Sequence, residues 1–109
     1  MIFEWITFAS MSLLVIGSVA FDAIETPFGK TDKIIGGAAT YIAISSSYFG
    51  SDVKLVAVVG GDFPKEDIKL LNDHGVDTEG LQIKEDEKSF FWSGKYHNDM
   101  NTRDTLVTE

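Results

Sequence analysis

The chain has 109 residues, enough for one domain, and its 44% hydrophobic and 24% charged content is that of a globular protein, not a disordered, collagenous or coiled-coil one. Nine Lys and Arg against 17 Asp and Glu leave a net charge of −8, and the basic residues are scattered. Such a chain repels phosphate backbones and anionic lipid, which argues against nucleic acid and membrane surfaces as partners. The lack of cysteine excludes a disulfide framework, a thiolate zinc site and a cysteine nucleophile, and accords with a reducing, cytoplasmic compartment.

Residues 1–21 are apolar apart from Glu4 and a few hydroxyls, and Ser18-Val19-Ala20 resembles a small-residue cleavage site, so an export signal is one reading. Against it, no Lys or Arg precedes the run, Glu4 stands in their place, and Ser10, Ser12 and Gly17 interrupt it. The competing reading takes Ser12 to Gly17 as a buried first strand, because a short aliphatic run closed by glycine is the mark of a parallel strand covered on both faces. Met11 is then a natural start, and residues 1–10 are an extension with no role in the fold.

Val19 to Thr26 alternates roughly in period two and predicts an extended segment ending at Pro27. Pro27 to Lys30 predicts a turn, and Lys33 to Ile35 a short returning strand that runs into Gly36-Gly37. A helix is expected over Ala38 to Phe49, stopped by Gly50. Val53 to Val59 predicts a second buried strand closed by Gly60-Gly61, and with the first strand and the helix it makes a parallel βαβ unit. A second helix is expected from Pro64 to about His74, with Asp62 as its cap, Glu66 and Asp67 complementing the N-terminal dipole, and Gly75 as its stop. The remaining β-prone runs, Leu81 to Ile83, Ser89 to Tyr96 and Thr105 to Val107, are separated by charged turns and predict an antiparallel meander. Two parallel strands are few for an α/β layer, so the fold reads as incomplete.

The chain contains no phosphate-binding G-x-x-x-x-G-K-[ST], no G-x-G-x-x-G, no H-E-x-x-H and no G-x-S-x-G. His74 and His97 have no partner at a telling spacing and read as solvated. What remains is Asp22, just beyond the first strand, and the Gly36-Gly37 pair. Open α/β sheets bind ligands beyond the carboxyl ends of their strands. A carboxylate there can accept hydrogen bonds from vicinal hydroxyls, and glycines opening a helix leave backbone N–H groups free to face an oxygen-rich ligand. A turn glycine pair beside a solvated aspartate is the competing reading.

The order of these pieces is more specific than any one of them. Gly17-Ser-Val-Ala-Phe-Asp22, the glycine pair and helix from Gly36 to Phe49-Gly50, Val56-Ala-Val-Val-Gly-Gly-Asp62, and the passage from Leu70 to Leu81 containing Gly75-Val-Asp-Thr78 together resemble the ribokinase, or PfkB, family of carbohydrate kinases. The resemblance runs from Ser12 to about Thr108 and implies a ribokinase-like α/β fold, a Rossmann-like parallel βαβ core with an antiparallel β lid. Residues 11–109 would form the N-terminal portion of such a domain, with lid strands at about 19–35 and 81–108. It further implies that Asp22 binds substrate hydroxyls and that Gly36 and Gly37 approach the substrate. Tyr41 stands where the family pattern has Asn, and an aromatic ring there stacks on a sugar or base face. Asn101 and Arg103 are candidate lid contacts beside a solvated-turn reading, and Trp92 and Tyr96 read as lid packing.

The complete protein implied by the resemblance is an ATP- and Mg²⁺-dependent kinase transferring a γ-phosphoryl group to a hydroxyl of a small sugar or nucleoside. The family's Gly-Ala-Gly-Asp motif, with its catalytic base, is not in this sequence, so the 109 residues by themselves are not expected to turn over. The alternative is a catalytically inactive short homologue that acts as a ligand-binding or dimerisation module, with a homodimer formed through the lid strands.

Overall fold

A computed structural model describes residues 12–50 and 52–109. The expectations for residues 1–10 and for Met11 lie outside the described residues. Among the described residues eight strands and two helices follow one another as β1 (Ser12–Ile16), β2 (Ala20–Thr26), β3 (Gly29–Lys30), β4 (Ile34–Gly36), α1 (Ala38–Ser47), β5 (Asp52–Gly60), α2 (Lys65–Asp73), β6 (Val76–Lys84), β7 (Phe91–Tyr96) and β8 (Arg103–Thr108).

The first sheet is wholly parallel, in the order β1-β5-β6. Strict alternation along β5 explains how it is covered: Val53, Leu55, Ala57 and Val59 are buried, and the residues between them face out. Helix α1 packs its small residues Ala39 and Ala43 on that face, and α2 adds Leu71, which is fully buried. Each fully buried Val or Leu contributes about 1.5–3 kcal/mol relative to exposure, so this single layer of helix on sheet is the main source of stability. The opposite face carries Leu14, Ile16, Val56 and Val58, all exposed, with Ile16 at 72%. Parallel sheets are normally covered on both faces, and this one is covered on one among the described residues.

The second sheet runs β3-β2-β7-β8, with β4 also pairing β2. It is antiparallel except for one parallel pair, β2 with β7, in which Asp22 stands opposite Trp92. The two sheets are joined where the chain crosses between them. Phe21 stacks on Phe63 with ring centroids 5.5 Å apart, Phe21 N–H donates to the Phe90 carbonyl at 2.8 Å, and the Lys33 ammonium lies 4.5 Å from the Phe91 ring centroid.

Both predicted helix stops hold: Gly50 and Gly75 adopt φ of +73° and +77°, a region open to glycine without strain. Three expectations are corrected. Residues 81–83 do not belong to the antiparallel meander; they are the end of β6, a nine-residue strand pairing with β5 in parallel. Gly80 permits this, because a Cβ there would lie 2.9 Å from Val56 Cγ2. The core sheet therefore has three strands where two were expected. Asp62 does not cap α2, whose N-cap is Pro64. Its Oδ1 instead accepts the Ser89 N–H at 2.8 Å, while the Ser89 hydroxyl accepts the Gly60 N–H at 2.9 Å, so the pair fastens the end of β5 to the segment entering β7.

Candidate functional site

The site is built where the chain leaves the first sheet for β2 and returns through β4 into α1. Ala20 pairs with Gly36 and Asp22 with Ile34, which sets the Asp22 carboxylate against the glycine pair. A Cβ at Gly36 would lie 2.6 Å from Asp22 Cγ, so only glycine leaves the carboxylate its place. Gly37 adopts φ +90°, and a Cβ there would come within 2.8 Å of the Ser18 carbonyl carbon. The bend is held by the buried Thr40 hydroxyl, which donates to the Gly36 carbonyl at 2.7 Å.

Backbone donors at the start of α1 are already committed. Ala38 N–H donates to the Ser18 hydroxyl at 3.1 Å and Ala39 N–H to the Ser18 carbonyl at 3.0 Å. The glycines let Asp22 and Ser18 approach, and Ser18 takes the N–H groups of Ala38 and Ala39, the two residues that follow the pair. Burial pushes the Asp22 carboxyl above its ordinary value, and the Gly37 N–H, which favours the ionised form, opposes this only in part.

Asp22 opens into a cleft of about 390 Å³ between α1 and the second sheet. Gly37 and Tyr41 line it with Asp22 on the α1 side; Trp92, Tyr96 and Arg103 line it from β7 and β8, and Ala20, Ala38 and Phe90 complete it. The predicted Asp22, Gly37, Tyr41 and Arg103 thus meet in one cavity. Gly36 supports the cleft from behind the carboxylate. Asn101 is not among the lining residues: it sits in the β7–β8 turn, where Asp99 Oδ1 accepts its N–H at 3.0 Å. Asp99 also takes the Thr102 N–H at 2.8 Å and hydroxyl at 2.6 Å, and these bonds hold its carboxyl at about 2.

Trp92 and Tyr96, read from sequence as packing, face the cleft. Trp92, Gly94 and Tyr96 share one face of β7 by strand parity, and that spacing was the available signal. The indole lies across Gly94, where a Cβ would fall 2.9 Å from Trp92 Cζ3. Its Nε1–H donates to Thr105 Oγ1 at 3.2 Å.

A larger cavity, about 510 Å³, lies at the far end of the second sheet beside Glu25, Lys95, His97 and Asp104. Its charges are paired with one another, His97 Nε2 to Asp104 at 2.8 Å and Lys95 to Glu25 at 3.9 Å. It therefore offers a ligand less than the Asp22 cleft does. His97, expected to be solvated and unpartnered, has this exposed carboxylate partner.

A parallel α/β layer with a carboxylate beyond its first strand, opening into an aromatic cleft under a second sheet, is the architecture of the ribokinase-like fold. The chain matches the pfkB family carbohydrate kinase model over residues 10–92 and belongs to that family. It is 40% identical over 73 residues to a cytidine kinase of Thermococcus kodakarensis, covering 67% of this chain and 26% of the relative. It is 34% identical over 104 residues to a nucleoside kinase of Methanothermobacter thermautotrophicus, covering 82% of this chain and 34% of the relative. The chain thus spans about a quarter to a third of the length of these curated relatives. Among solved structures, the ribokinase of Cryptococcus neoformans in complex with ADP superposes with a TM-score of 0.78 at 25% identity, over 94% of this chain and 34% of that one. The Burkholderia thailandensis nucleoside kinase in complex with inosine superposes with a TM-score of 0.78 at 20% identity, over 90% of this chain and 36% of that one, a likeness of fold. No helix among the described residues is long and apolar enough to cross a membrane.

Proposed function

We propose that this chain supplies the acceptor-binding cleft and covering lid of an ATP-dependent kinase that transfers a γ-phosphoryl group to a hydroxyl of a nucleoside or related sugar. The observation that carries this reading is the Asp22 carboxylate, seated against Gly36 and opening into a cleft walled by Tyr41, Trp92 and Tyr96. Asp22 accepts hydrogen bonds from two vicinal hydroxyls, and the rings take the flat face of the ligand. The aromatic lining and the kinship with kinases named for cytidine and for nucleosides favour a nucleoside over a simple sugar. The second sheet excludes water from the acceptor hydroxyl, so that the phosphoryl donor is not lost to hydrolysis.

Among the described residues no three His, Asp or Glu side chains stand together to hold a metal ion. In this reading the part played by the chain is to hold the acceptor, and the ATP and Mg²⁺ that the family implies serve the complete protein. Strand β8, exposed throughout at the sheet edge, favours a second reading in which the chain also pairs with a second copy through the lid.

Calorimetric titration of the 109-residue chain with cytidine and with ribose tests the proposal. Binding should be weakened at least about tenfold by Asp22→Ala, the loss expected for a hydrogen bond to a charged group. Equal affinity in the two proteins would remove Asp22 from the site and refute the reading.

A further inference from the structure

Arg103 is the one cationic side chain lining the cleft among the described residues. It stands opposite Tyr96 in the β7–β8 register, and its guanidinium carbon lies 5.7 Å from the centre of the Trp92 ring. That platform is fixed on two sides, by Gly94 beneath the indole and by Thr105 accepting from Nε1. Among the described residues Arg103 makes no ion pair, and its guanidinium donates to no protein acceptor. A fork of N–H donors is therefore held on an aromatic plane, uncommitted, in the same cleft as the diol-binding carboxylate.

Resting on the nucleoside reading above, we infer that Arg103 reads the base, and that it selects bases presenting two adjacent hydrogen-bond acceptors. A guanidinium donates two parallel hydrogen bonds, and its geometry matches a pair of neighbouring acceptors. Cytosine presents such a pair in O2 and N3, and guanine in O6 and N7. Uracil places an N3–H donor between its two carbonyls, and adenine sets its amino donor beside N1 on one edge and N7 on the other. The cleft thus divides recognition: Asp22 accepts from the sugar, and Arg103 donates to the base. Cytidine and guanosine are favoured over uridine and adenosine.

The test is a set of calorimetric titrations of the 109-residue chain with cytidine, guanosine, uridine and adenosine, in the parent and in Arg103→Lys, with thermal melts of both proteins to verify the fold. Lysine keeps the charge and loses the fork. The parent should bind cytidine, guanosine or both about tenfold or more tightly than uridine and adenosine, the discrimination a bidentate contact supplies. Arg103→Lys should bring the ratio close to one, with the melt unchanged. Which of the two favoured nucleosides binds identifies the edge that is read. An unchanged ratio in Arg103→Lys, or equal affinities for all four nucleosides in the parent, overturns the assignment to Arg103 while leaving the acceptor cleft standing. Failure of all four to bind overturns the assignment and the nucleoside reading together.

Discussion

Replacing Gly36 by alanine isolates the contact on which the site depends. The new Cβ would sit 2.6 Å from Asp22 Cγ and closer still to its Oδ2, within a buried strand end paired to β2. Gly36 is not among the residues at positive φ, so alanine meets no backbone strain and the effect is one of space. Overpacking of this kind costs about 1–3 kcal/mol, since the carboxylate must swing away or β4 must shift. The second change, Asp22→Ala, removes the group that Cβ meets. In that background Gly36→Ala should be neutral or stabilising by about 0.4–1 kcal/mol, because alanine lowers the entropy of the unfolded chain. Urea denaturation followed by circular dichroism on the parent, the two single variants and the double variant gives the coupling directly. A coupling of about 1–3 kcal/mol is expected. The same cost for Gly36→Ala in both backgrounds would show that the glycine does not exist to seat Asp22.

Three further outcomes follow from the same contacts. Because burial raises the Asp22 carboxyl above its ordinary value of 3.8, the native state binds a proton more readily than the unfolded chain, and stability falls as pH rises through the raised value. Asp22→Asn should therefore be the more stable protein near neutral pH, with the gap in urea midpoint closing as pH drops toward the ordinary carboxylate range; a gap independent of pH would contradict this. Asp62 behaves oppositely: burial pushes its carboxyl up, but the Ser89 N–H and hydroxyl, its own N–H and the Lys33 charge together hold it below its ordinary value. Its contribution is present above the ordinary range and lost as pH falls through the lowered value. Asp62→Ala, which leaves the Ser89 N–H without its partner, should cost about 1 kcal/mol at neutral pH and less in acid, read from urea midpoints at the two pH values. On the open face of the first sheet, where Val58 is 54% exposed and Ile16 72%, the chain should bind the dye ANS, and Ile16→Thr with Val58→Thr should reduce that fluorescence without lowering the melting temperature. Dye binding unaffected by the pair would place the apolar surface elsewhere.

The parts of this fold legible in the sequence are those whose signals are local. Helix α1 ends in a glycine that takes φ of +73°, α2 ends in one that takes +77°, and β5 is an aliphatic run closed by glycines. Asp22 and the glycine pair were legible through their order along the chain. What sequence could not supply was the partner at a distance. Leu81 to Ile83 reads as a short run of the meander, and it is the end of a long parallel strand only because β5 offers an edge on which Gly80 fits. Asp62 looks like a helix cap until Ser89, 27 residues away, takes its carboxylate. The α1 donors look free until Ser18, 20 residues away in the case of Ala38, accepts them. That Trp92 and Tyr96 line the cleft was hidden for the same reason, since only the parallel pairing of β2 with β7 sets Trp92 beside Asp22.

The central claim is that the Asp22 cleft holds the hydroxyl-bearing acceptor. A crystal structure of the 109-residue chain grown with cytidine tests it most directly. The account predicts the ribose hydroxyls within hydrogen-bond distance of the Asp22 carboxylate and the base against the Trp92 and Tyr41 rings. Cytidine seated instead in the larger cavity beside His97 and Asp104, or turned with its hydroxyls away from Asp22, would contradict it.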